Sequence, residues 1–96
     1  MIQLFEMIEK LLRGEYDLTG EGLLYAEADL EIAACEASAE LYSMDAHMAK
    51  LLTEGIVDIG EDYDNGTPEE GEEYTRRVKE VYERAKAMMS RGAAGE

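Results

Sequence analysis

The sequence predicts an all-α protein, a small bundle of three to five helices, on three observations. Apolar residues recur at spacings of three and four through most of the chain, no segment alternates apolar and polar residues with period two, and helix-boundary residues fall where those periods begin and end. At 96 residues there is material for a single core, so the chain reads as one acidic domain, 1–96, with 91–96 as a frayed tail of small residues.

The first helix is read from Leu4, Phe5, Ile8, Leu11 and Leu12, which share one face over about residues 2–13, with Gly14 placed to cap its C-terminus. A connection follows, in which Asp17 or Thr19 is expected to cap the next helix. Leu23, Leu30, Ala37 and Met44 lie seven apart with Ala26, Ala33, Ala34 and Leu41 between them, so residues 21–42 are expected to form a long helix with one apolar stripe made largely of alanine, whose small side chains let neighbouring helices approach. Ser43 or Asp45 should start a shorter helix containing Ala46, Met48, Leu51 and Leu52 and ending at Gly55. Ile56, Val57, Ile59 and Tyr63 then suggest one or two further turns, weakened by Gly60. Asp64-Asn65-Gly66 is turn chemistry, and Thr67-Pro68-Glu69-Glu70 is a helix start with Thr67 as N-cap, Pro68 at the first position and Glu70 closing a capping box. The last helix runs to about Ser90 and buries Tyr74, Val78, Val81, Tyr82, Ala85, Met88 and Met89.

Charge is distributed unevenly. The chain carries −14 at pH 7, which opposes contact with a nucleic-acid backbone or an anionic membrane. Residues 21–64 hold twelve of the 23 acids against Lys50 alone, a net of −11, while 1–20 contribute −2 and 65–96 contribute −1. On the long helix Asp29, Glu36 and Glu40 fall on one side, with Glu27 and Glu31 in a neighbouring row. At 1.5 Å per residue they stand about 6–10 Å apart along the axis, which resembles the ~7 Å separation of successive phosphates on a nucleic-acid strand, with twice the rise of about 3.4 Å per strand as the upper comparison. Such acids are either the solvated face of a soluble helix or a surface that meets a cationic partner. Self-repulsion on this scale is a cost that a chain without a cationic partner has no evident reason to carry, which brings the second reading level with the first. The candidate partner-binding residues are therefore Glu27, Asp29, Glu31, Glu36, Glu40, Asp58, Glu61, Asp62 and Asp64, with Tyr25, Tyr42 and Tyr63 as aromatic anchors.

Nothing in the sequence marks a reaction centre. There is no Gly-rich phosphate loop and no Ser/His/Asp set, and the residue three before His47 is Met44, so the Glu-x-x-His motif of di-iron bundles is absent. Glu61, Tyr63, Asn65, Gly66 and Glu72 match the spacing of a calcium loop. Tyr63 is a poor oxygen ligand, however, and Pro68 opens a helix inside it. No enzyme, metal or cofactor is expected. Cys35 reads as a small buried hydrophobe and His47 as a surface residue. A lone cysteine without CxxC suggests a reducing cytoplasm, and Met1-Ile2-Gln3-Leu4-Phe5-Glu6 lacks the basic start of a signal peptide. No apolar run is long enough to span a bilayer.

The order of a helix, Gly14-Glu15-Tyr16-Asp17, an acidic helix, Asp58-Ile59-Gly60-Glu61-Asp62-Tyr63 and then Val78-Lys79-Glu80-Val81-Tyr82-Glu83-Arg84-Ala85 resembles small bacterial immunity proteins of the colicin type. The resemblance implies a helical bundle that neutralises a nuclease toxin through an acidic face. Phage anti-defence proteins, anti-CRISPRs among them, fit the same size and acidity. The expected function is thus inhibition, by occupancy and without catalysis, of a basic protein of the nuclease-toxin or CRISPR-effector type, as a monomer or homodimer and without direct nucleic-acid contact. The alternative is a self-associating structural protein.

Overall fold

Four helices account for the fold: α1 (Ile2–Leu12), α2 (Glu21–Met44), α3 (Ala46–Glu61) and α4 (Pro68–Ala94). The computed structural model describes residues 2–63 and 65–94, the last four of these as backbone only. The helices form an elongated bundle of 45 × 21 × 20 Å, in which α2 packs on α3, α3 on α4, and α1 closes against both α2 and α4. Among the described residues no helix is long and apolar enough to cross a membrane.

The core is the set that helical periodicity selects. Leu4, Ile8 and Leu11 of α1 meet Leu23, Leu30 and Leu41 of α2, Met48, Leu52 and Ile56 of α3, and Tyr74 and Val78 of α4, all nearly inaccessible to water. Ala26, Ala33, Ala34 and Ala37 line the inner side of α2, and these short side chains let α3 lie close along it. Phe5 packs on Tyr82 with ring centroids 5.7 Å apart, and the Tyr82 hydroxyl donates to Glu9 at 2.7 Å, tying α1 to α4.

The boundaries follow from local chemistry. Gly14, at φ 75°, ends α1 as expected: its amide bonds Leu11 O and the Glu15 amide bonds Lys10 O, each at 3.0 Å, the double closure of a left-handed cap. Asp45 rather than Ser43 caps α3, accepting from the amides of His47 and Met48, while Ser43 bonds back to Glu40 O. Thr67 accepts from the Glu70 amide at 3.2 Å, and the Glu70 carboxylate reaches past Thr67 to the Asn65 amide at 3.1 Å.

Four expectations need correction. Asp17 does not cap α2. Its carboxylate bonds the amide and hydroxyl of Thr19 within the loop, and α2 begins after Gly20 without a side-chain cap. Helix α3 does not stop at Gly55 but continues through Gly60 to Glu61, because Ile56 and Ile59 reach the same core as Leu52 and their burial outweighs the weak propensity of two glycines. Met44, in step with the buried stripe of α2, is exposed at the helix end. Finally, α4 persists to Ala94, beyond the expected fraying at residue 91; Gly95 and Glu96 lie outside the described residues.

The loop between α1 and α2 and the loop between α3 and α4 meet backbone to backbone. The Gly20 amide donates to Gly66 O at 2.9 Å, and Gly66 holds φ 68°. A side chain on Gly66 would stand 2.6 Å from Gly20 N and Cα and closer still to its carbonyl oxygen, so glycine is what permits the contact.

Candidate functional site

Helix α2 is apolar on two sides. The inner stripe is the core side already described. On the opposite side Tyr25, Ala28, Ile32, Cys35, Ala39 and Tyr42 are all exposed, with Tyr25 at 66%, Ile32 at 57% and Tyr42 at 45%. Their spacing is three, four, three, four, three, so they form one continuous, slightly slanting seam along the helix. A helix with apolar residues on both sides segregates them poorly, which is why its amphipathicity is weak although its inner side is fully buried. The seam spans about 26 Å at 1.5 Å per residue.

Acids border it. Asp29 and Glu36 are exposed along one edge with Glu40 beyond them, and half-buried Glu31 lies on the other. No Lys or Arg occurs anywhere on α2. The structure thus brings together six of the residues expected to bind a partner: Tyr25, Asp29, Glu31, Glu36, Glu40 and Tyr42.

The remaining candidates are elsewhere. Glu27, only 7% exposed, points inward among the core residues of α2, one turn from Glu31 and against α3. There Gly60 leaves room for it: a methyl group on Gly60 would lie 3.7 Å from Glu27 Cβ and Cγ and 3.4 Å from a Glu31 carboxylate oxygen. Tyr63 is also 7% exposed, stacked edge-on against Tyr74 at 6.3 Å and covered by the Arg77 guanidinium at 5.5 Å, so it is a core residue and not an anchor. Asp62 is exposed but is engaged by Arg77 at 2.7 Å, and Arg77 also bonds the Tyr63 hydroxyl at 3.1 Å. These bonds, to Asp62 above all, hold the guanidinium even more firmly in its charged form than usual. Asp58 lines a groove between α3 and α4 with Arg77 and Glu80, away from the α2 seam. Glu61 is exposed at the end of α3, and Asp64 lies outside the described residues. The acidic region is therefore divided: α2 carries its carboxylates on a helix whose own sequence has no Lys or Arg, whereas at the end of α3 Asp62 is paired with Arg77 of α4.

Cys35, expected in the core, is exposed at the middle of the seam. His47 is exposed, as expected. Among the described residues no three His, Cys, Asp or Glu side chains converge as metal ligands would. Two buried tyrosines are also perturbed. Burial first, and then the charge of Glu27, pushes Tyr74 far above the ordinary phenol range. Tyr82 is raised to about 12 by burial and by its bond to Glu9. Both shifts favour the neutral phenol.

Sequence reasoning missed Ala28, Ile32, Cys35 and Ala39. Their signal was a second set of three-and-four spacings running beside the alanine stripe. Comparison with protein-family models, curated proteins and solved structures gave no match.

Proposed function

We propose that this chain is a non-catalytic binding protein whose α2 seam occupies a basic surface on another protein, one that handles nucleic acid, and so blocks it. The observation that carries this reading is the coincidence on one side of one helix of large exposed apolar residues (Tyr25, Ile32, Tyr42) with carboxylates (Asp29, Glu36). A merely solvated helix face needs the acids but has no use for the apolar seam, which water penalises. Together they supply both parts of an interface: charge that speeds encounter and apolar contact that slows release. Carboxylates spaced along α2 at about the interval of strand phosphates suit a groove built for nucleic acid. An immunity protein paired with a nuclease toxin, or a phage inhibitor of a defence nuclease, would work in this way.

A second reading, self-association through the same seam, is favoured by its apolar character and opposed by its borders, since two copies would set acid against acid. Sedimentation of the purified protein separates the two: a stable homodimer sealing α2 removes the inhibitory face. The test of the main reading is capture of the partner from its native cell, followed by association kinetics with the purified partner. Raising salt from about 50 to about 500 mM shortens the screening length severalfold and should slow association markedly. Reversal of Asp29, Glu36 and Glu40 to lysine should weaken the complex while leaving the fold intact. An on-rate indifferent to salt and to these reversals would reject the reading.

A further inference from the structure

We infer that the occupant of the α2 seam is a single amphipathic helix of the partner protein, with apolar residues at alternating three- and four-residue intervals and Lys or Arg on both borders, packed along α2 as in a two-stranded coiled coil. The inference rests on the proposed function and specifies the mode of contact.

Three features carry it. First, the pattern Tyr25, Ala28, Ile32, Cys35, Ala39, Tyr42 sustains the 3.5-residue average that keeps a seam facing a neighbouring helix over its whole length, and all six residues are exposed. A contact with a loop or a globular knob requires no such continuity. Second, the seam has relief suited to another helix. Small residues at 28, 35 and 39 leave recesses around Ile32 for large side chains of the partner, and tyrosines stand at both ends. Third, the borders select the charge of the occupant. In a two-helix pack the residues flanking the seam face those flanking the partner's seam, and here they are Asp29, Glu36 and Ser43 on one edge and, on the other, half-buried Glu31 between Leu24 and Ser38. A second copy would oppose acid to acid in a parallel or an antiparallel pair, whereas a helix with basic flanks meets opposite charge in both.

The probe is a synthetic peptide of three heptads with leucine at the seam positions and lysine at the flanking positions, compared with a shuffled peptide of the same composition and with one bearing glutamate for lysine. Two readouts apply: fluorescence anisotropy of the labelled peptide, and the alkylation rate of Cys35, the only cysteine, at the centre of the seam. The patterned lysine peptide should bind and slow Cys35 alkylation by about tenfold or more at saturation, and Ile32→Asp should weaken that binding by at least about tenfold, equivalent to ~1.4 kcal/mol. Ile32 is exposed, so the variant should melt as the parent does. If the shuffled peptide binds equally well and leaves Cys35 open, the helical mode is overturned while the basic-partner reading stands. If neither lysine peptide binds the folded protein, both fall. If Cys35 is protected in the protein alone and sedimentation gives a dimer, the occupant is a second copy and the proposal is overturned.

Discussion

Replacing Gly55 by alanine should stabilise the protein, and replacing Gly66 by alanine should destabilise it; the pair tests the backbone account of the fold. Gly55 lies inside α3, where a methyl group would meet the Val81 and Leu51 side chains at 3.8–3.9 Å, ordinary contact without overlap. The change therefore gains the helix propensity of alanine over glycine, about 0.5–1 kcal/mol, with a further small gain from apolar contact. Gly66 differs on both counts. Its φ of 68° costs an L-residue about 1–2 kcal/mol. The added methyl would also be driven to 2.6 Å from Gly20 N and Cα, so the two loops must separate and the 2.9 Å bond between them is lost. A net hydrogen bond is worth about 1 kcal/mol, which brings the expected loss to about 2–3 kcal/mol. In a domain of this size each kcal/mol moves the melting temperature by about 4–8 °C. Urea denaturation followed by circular dichroism should show midpoints displaced in opposite directions at unchanged slope. A Gly66→Ala protein as stable as the parent would refute the loop contact, and a destabilised Gly55→Ala protein would refute the continuous α3.

Three further outcomes are expected. The Tyr74 hydroxyl is buried without a hydrogen-bond partner among the described residues, so Tyr74→Phe should be neutral or stabilising by up to about 2 kcal/mol; a loss above about 1 kcal/mol in urea melts would reveal a bond to it. Tyr82 ionises near 12 in the folded chain against 10.0 for the ordinary phenol, so its contribution is complete below pH 10 and is lost as pH rises toward 12, where the unfolded chain releases the proton first. Denaturation midpoints measured across that window should fall for the parent and fall less for Tyr82→Phe. Asp62→Asn removes a largely exposed ion pair with Arg77 and should cost less than about 1 kcal/mol; a larger loss on thermal melting would mean that the pair organises the end of α3.

Most of the fold was legible because burial and helical periodicity coincide. Leu4, Ile8 and Leu11, the alanine stripe of α2 and the face of α4 around Tyr74 and Val78 are both periodic and buried. What escaped reading was decided by tertiary context. Gly55 and Gly60 look like stops, yet Ile56 and Ile59 carry α3 through them. Asp17 is a good cap by type, but its own loop satisfies it. The candidate site was legible as charge and less so as geometry. Asp29 and Glu36 emerged on the outside as their spacing required, whereas Glu27, two residues before Asp29, turned inward because α3 offers a glycine against it. Tyr25 and Tyr63 are equally plausible anchors by residue type, and only packing against Tyr74 and Arg77 consigns Tyr63 to the interior. The second apolar set of α2 was hidden by the first: when both sides of a helix carry alanine, the spacing that reveals a core also describes an interface.

The central claim is that a partner covers the outward side of α2, and side-chain footprinting of the purified complex tests it most directly. Hydroxyl-radical oxidation of Tyr25, Ile32 and Tyr42 should fall sharply on complex formation, while exposed residues of α4 keep their rates. Protection confined to α4, with the α2 residues oxidised as in the free protein, would contradict the account.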